Sequence, residues 1–145
     1  MTEDRLAAGE RVRREVLGDE HVDRALAARA GTGAGGGLDA DFQRYLTENA
    51  WGSLWTRDDR LDRRTRSCVT IAVLTALRAG DELALHIRAG RRNGLTAEEI
   101  VEVIMHTAGY AGIPAANSAM AVATRVLAAD PGAEPDADAD GPDGG

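Results

Sequence analysis

Ten consecutive residues, Cys68-Val69-Thr70-Ile71-Ala72-Val73-Leu74-Thr75-Ala76-Leu77, carry no charge and stand between Asp62 and Gly80. Their β-branched content allows a buried strand. The length of the whole segment, the helix-capping aspartate before it and the glycine after it favour a helix that is apolar on all sides. A membrane span needs about 20 apolar residues, and arginines crowd the start of this one. The segment therefore predicts a central buried helix from Asp62 to Ala79 with Gly80 as its C′ residue. Such a helix folds only if other helices cover it.

The rest of the chain offers those helices. Residues 4–17 and 21–29 are rich in Ala, Leu, Val, Glu and Arg around a turn at Gly18-Asp19. Asp39 is placed to cap a helix from Ala40 to about Ser53. Another runs from Asp81 to Arg92 and ends at Asn93-Gly94. Thr96-Ala97-Glu98-Glu99 reads as a capping box, starting a helix that puts Ile100, Val103, Ile104, Thr107 and Ala108 on one stripe. Pro114 suits the first turn of a last helix to about Ala129. That helix is built from small residues, Ala115, Ala116, Ser118, Ala119, Ala121 and Ala123, and reads as a close-packing element within the chain or between subunits. No strand alternation competes, so the fold class is all-α, a compact multi-helix bundle.

The 145 residues suit one helical domain over 1–129, interrupted by a Gly-rich break at 31–37, with a tail at 130–145. The break follows no strand and lacks Gly-Lys-Ser/Thr, so it reads as a linker or flap and not a phosphate loop. The formal charge of −7 is mostly a property of the tail: Asp130, Glu134, Asp136, Asp138, Asp140 and Asp143 lie there with no base, and without them the chain carries −1. With no large apolar residue, the tail is expected to be disordered. Near-neutral charge and few aromatics argue against nucleic acid as a partner. The start, Met1-Thr2-Glu3-Asp4, has neither the basic residues nor the apolar run of a signal peptide, which points to the cytoplasm. Cys68 is the one cysteine, so no internal disulfide, Cys-x-x-Cys pair or cysteine zinc cluster forms.

All seventeen basic residues are arginine. Without lysine there is no Schiff-base chemistry, and no pyridoxal phosphate held through a side-chain amine. No cofactor or metal is called for. What remains is Glu82 and His86, an i,i+4 pair that a helix sets side by side, enough to orient an imidazole and move a proton. Such pairs also occur on ordinary surface helices. Arg57, Arg64 and Arg66 offer guanidinium forks for carboxylates. Arg63, Arg64 and Arg66 crowd a helix start, where the dipole disfavours them; either they face water or an anion sits near. Ser67, His106, Trp51 and Trp55 each carry an O–H or N–H donor. The tryptophans equally suit the core, His106 an interior or interface position, and His21 the surface.

From Asp39 to about Leu127 the chain resembles the carboxymuconolactone decarboxylases. The resemblance rests on Ala50-Trp51-Gly52-Ser53-Leu54-Trp55-Thr56-Arg57, Leu61-Asp62-Arg63-Arg64-Thr65-Arg66-Ser67, Glu82-Leu83-Ala84-Leu85-His86, Arg92-Asn93-Gly94-Leu95-Thr96 and Tyr110-Ala111-Gly112-Ile113-Pro114-Ala115-Ala116-Asn117, in order and in register. The segments Gly9 to Gly18 and His21 to Ala25 are similar to the 4-carboxymuconolactone branch. The wider superfamily includes alkylhydroperoxidases, which carry Cys-x-x-Cys before the helical histidine. Here Ala79 and Glu82 stand at those two positions, and Ser67 stands where those enzymes have glutamate, so the redox branch is set aside.

The resemblance implies the alkylhydroperoxidase-like helical fold, a homo-oligomer, commonly a hexamer, and cofactor-free decarboxylation of 4-carboxymuconolactone to the enol-lactone of 3-oxoadipate in protocatechuate breakdown. His86 would donate the proton and Glu82 orient it, with Arg57, Arg64, Arg66, Ser67, Trp51, Trp55 and His106 as candidates to hold a small dicarboxylate lactone. Two other readings keep the helices: proton transfer on another small unsaturated acid or lactone, and a non-catalytic helical oligomer whose acidic tail recruits a partner.

Overall fold

The structure, a computed structural model, describes residues 3–29 and 39–129. The Gly31–Gly37 break and the acidic tail lie outside the described residues. Among the described residues every regular element is helical: α1 (Arg5–Leu17), α2 (Asp19–Arg29), α3 (Ala40–Leu46), a π-helical segment (Thr47–Trp55), α4 (Arg63–Leu77), α5 (Gly80–Arg92), α6 (Ala97–Ala111) and α7 (Ile113–Ala129). They form two compact units, Met1–Arg66 and Ser67–Gly145. No described helix is long and apolar enough to cross a membrane.

In the first unit α1 lies against the π-helical segment at very short range. A Cβ on Gly9 would collide with the carbonyl oxygen of Thr47, and one on Gly52 with that of Arg5. Hydrogen alone fits at either position. Val12, Val16, Leu17 and Val22 are buried in this unit, as are Trp51 and Trp55. The helix capped at Asp39 was expected to end near Ser53. It instead widens after Leu46 and continues to Trp55. Side chains serve the carbonyls of the widened turns: the Ser53 hydroxyl donates to the Glu48 carbonyl five residues back (3.1 Å), Thr47 to Gln43 (2.7 Å) and the Asn49 amide to Tyr45 (2.8 Å). Short π stretches of this kind re-aim side chains and cluster at functional sites.

The second unit is a side-chain core. Ile71, Leu83, Ile87, Leu95, Ile100 and Ile104 pack with Ala116, Ala119, Ala123 and Val126. The small-residue face of α7 is thus covered by α5 and α6 of the same chain. The capping box is formed: Glu99 N–H donates to Thr96 Oγ1 and Thr96 N–H to Glu99 Oε1. Gly94 (φ 98°) ends α5, its N–H meeting the Arg91 carbonyl while the Leu95 N–H meets Gly90, which satisfies the last carbonyls.

Two expectations for α4 need correction. Asp62 does cap it, accepting the Thr65 N–H at 2.7 Å, but the C′ residue is Arg78 at φ 56°, not Gly80. Arg78 N–H bonds to Thr75 O and Ala79 N–H to Leu74 O, the same terminating pattern built on an arginine. The helix stops early because Gly80 already begins α5. Nor is α4 buried on all sides. Ser67, Ile71 and Thr75 form its buried stripe, while Val69, Val73 and Leu77 are 52%, 49% and 70% exposed.

Candidate active site

α5 presents Glu82 and His86 one turn apart but in unlike surroundings. Glu82 lies exposed in the first turn, where the positive end of the helix dipole suits a carboxylate. His86 is half-buried beside the core residues Leu83 and Ile87, and its Nδ1 is shielded from solvent. One further turn along sits buried Gly90, where a Cβ would lie 3.6 Å from the Cβ of Ser67 and nearer still to Leu95 and Ile71. A glycine here lets α4 approach α5, so Ser67 stands about one helical turn along α5 from His86. Ser67 is fully buried, and its hydroxyl accepts the amide of Asn93 at 3.0 Å. That bond ties α4 to the end of α5. Asn93 was read as a helix stop and as part of a family motif, with no partner for its side chain, because that partner lies 26 positions away in sequence.

In the first unit Trp51 and Trp55 stack, with ring centroids 5.4 Å apart and planes at 30°, both buried. The Arg66 guanidinium donates to the Arg57 carbonyl at 3.0 Å, fixing the loop before α4, while the Arg57 and Arg64 side chains are exposed. The anion foreseen near Arg63 is internal: Glu15 at 2.7 Å and Asp58 at 3.0 Å. The guanidinium beside Glu15 holds that carboxyl below its ordinary range. His21 is half-buried. In the second unit His106 is exposed, its ring 5.2 Å from that of Tyr110.

Among the described residues, three hollows lie within single units. One of about 480 Å³ lies among α1, α2 and α3. A second, about 430 Å³, opens beside Cys68, Val69 and His106. A small third, about 50 Å³, sits where Leu83 and Ala119 face Thr75. Neither His86 nor Glu82 lines any of these three. Among the named residues, then, the structure joins Trp51 to Trp55, Arg66 to the backbone of Arg57, and Ser67 to the stripe of α5 that bears His86.

Every described element is helical, the chain has no lysine, and a half-buried imidazole stands one turn after an exposed carboxylate. Residues 40–125 match the carboxymuconolactone decarboxylase family, and the chain belongs to that family. It is 46% identical over 125 residues to a 4-carboxymuconolactone decarboxylase of Acinetobacter baylyi, covering 86% of this chain and 88% of that protein. It is also 39% identical over 120 residues to a nitrosuccinic acid decarboxylase of Metarhizium robertsii, covering 82% of this chain and 78% of the other.

Proposed function

We propose that this chain decarboxylates 4-carboxymuconolactone to the enol-lactone of 3-oxoadipate, in the cytoplasm, as a step of protocatechuate breakdown. The observation that carries this is the 46% identity, across most of both chains, to a protein named for that reaction.

The chemistry suits the residues. The departing carboxylate sits on a ring carbon joined through a double bond to the lactone carbonyl. As the bond to CO2 breaks, its electrons shift through the double bond onto the carbonyl oxygen and form a furan-like dienolate. A proton added to the ring carbon next to that carbonyl gives the product. The substrate is its own electron sink, so the protein has only to hold a dianion, stabilise an oxyanion and deliver a proton. In this reading His86 is the proton donor and Glu82 keeps the imidazole charged. Arg57, Arg64 and Arg66 serve the carboxylates, and the indole N–H groups of Trp51 and Trp55 serve the oxyanion, with Ser67 and His106 as further donors. A positioned general acid contributes roughly 10²–10⁴-fold, and one oxyanion donor about 2.7–4 kcal/mol.

The test is CO2 release from freshly generated 4-carboxymuconolactone. His86→Ala is expected to slow turnover at least about a hundredfold while helical content is kept. Normal turnover by that variant overturns the role of His86, and no release by the parent protein overturns the function, leaving another small acid or lactone as substrate or a non-catalytic oligomer.

One observation favours a second substrate class. Nitrosuccinic acid, named in a relative, is also a dicarboxylic acid whose nitro group can take up the electrons released with CO2. Turnover of that acid by this chain would place it with other small acids carrying their own sink. Assembly is also part of the proposal: the exposed stripe of Val69, Val73 and Leu77 is an apolar face suited to a second copy, and a homo-hexamer is the expected state. Light scattering after size exclusion checks it, with Val73→Glu expected to give smaller species.

A further inference from the structure

We propose that the hollow between α4 and α6 is a second ligand site, and that it takes a small primary amine, as its ammonium cation, carried on an apolar body. Its volume, about 430 Å³, falls in the ordinary size range of small-molecule sites. Val69 and Ala72 of α4 and Val103 of α6 give it apolar walls, and Glu102 and His106 of α6 give it a polar edge. Val69 is 52% exposed, which leaves apolar surface for a ligand to cover.

Glu102 and His106 repeat on α6 the spacing of Glu82 and His86 on α5, so a helix sets this carboxylate and imidazole side by side as well. The α6 pair borders the hollow, whereas Glu82 and His86 do not. Among the described residues Glu102 makes no hydrogen bond or ion pair. Nothing on the two walls neutralises it. Besides Glu102, α6 carries Glu98 and Glu99 and no arginine, and α4 is uncharged from Cys68 to Leu77. A carboxylate set beside apolar walls draws cations, because such walls focus its field. An ammonium group supplies the partner that the chain withholds from Glu102, and with several N–H donors it can also give one to a ring nitrogen of His106. The same field disfavours a dianion, so among the donors named for the lactone His106 is the one whose surroundings suit a cation instead.

Titration calorimetry with benzylamine, and with benzyl alcohol as its uncharged counterpart, tests the site. Benzylamine is expected to bind saturably and at least about threefold more tightly than the alcohol, the scale of an ion pair open to water. Glu102→Gln is expected to bring the amine down to the level of the alcohol. Glu98→Gln, one turn earlier on α6 and outside the lining, is expected to leave it unchanged. Both positions are exposed, so the variants keep the fold, which circular dichroism verifies. Cys68 lines the hollow and is the one thiol of the chain, so the rate of its modification by methyl methanethiolsulfonate reports occupancy, and benzylamine should slow that rate with the same saturation. The proposal is overturned by absence of saturable binding, by equal binding of amine and alcohol, or by amine binding that survives Glu102→Gln. An equal loss in Glu98→Gln also overturns it, since the attraction is then diffuse, and so does saturation that leaves Cys68 unprotected, since the amine then sits elsewhere. A Cys68 that reacts in urea but not in the native protein overturns it too, because a second copy then covers the hollow.

Discussion

In the second unit α5, α6 and α7 meet through side chains, isoleucines and leucines set against a row of alanines. In the first, α1 meets the π-helical segment nearly backbone to backbone, with Gly9 and Gly52 at the contact. A side-chain core fails when volume is removed, because a cavity stays behind. A backbone contact fails when volume is added, because carbonyl groups fixed in helices cannot step aside. The two units should therefore respond oppositely to substitutions of opposite sense.

The largest effect on stability is expected from Ile104→Ala in the second unit, where the residue is fully buried; truncations of this kind cost about 2–5 kcal/mol, read from urea unfolding. Next comes a matched pair of glycines. Gly9→Ala is expected to cost about 1–3 kcal/mol from overpacking, outweighing the roughly 0.5–1 kcal/mol that alanine gains within a helix. Gly90→Ala comes closest to the tips of Leu95 and Ile71, at 3.1 and 3.2 Å, which can yield, while Ser67 Cβ stays at an ordinary 3.6 Å. It should stay within about 1 kcal/mol of the parent. If Gly9→Ala proves as mild as Gly90→Ala, the units do not differ in the way described.

The smallest effect is electrostatic and belongs to the first unit. Glu15 is held below its ordinary value of 4.5, chiefly by the hydrogen bond from Arg63. Because the folded value is the lower one, the contribution is fully present above pH 4.5 and is lost as pH falls through the depressed value. Glu15→Gln should remove that part of the acid slope and leave stability nearly flat between pH 5 and 7, its size small because both partners reach solvent. Unfolding free energies of the two proteins across pH 3–7 check it.

Much of this was readable from local chemistry. Helix positions followed from caps and stops whose partners lie within a few residues, as at Asp62 with Thr65 or Thr96 with Glu99. The spacing of Glu82 and His86 followed from helical period alone. Their differing exposure did not, because it depends on what packs against each face of α5. Glu102 was passed over as one more helix acid, although its spacing from His106 repeats that of Glu82 from His86. The partner of Ser67 and one partner of Arg63, Glu15, lie far along the chain, so Ser67 was read as an oxyanion donor and Arg63 as facing either water or an anion without a name.

The order of helices, the caps at Asp62 and Thr96, the absence of lysine and the family likeness all reside in the sequence, because hydrogen bonds within a turn and the inventory of side chains need no distant partner. Which face of α4 is buried, which arginines hold internal acids, and where α1 and the π-helical segment touch were fixed by folding. Those properties arise when positions remote in the chain exclude water from one another, and exclusion is a matter of three-dimensional contact.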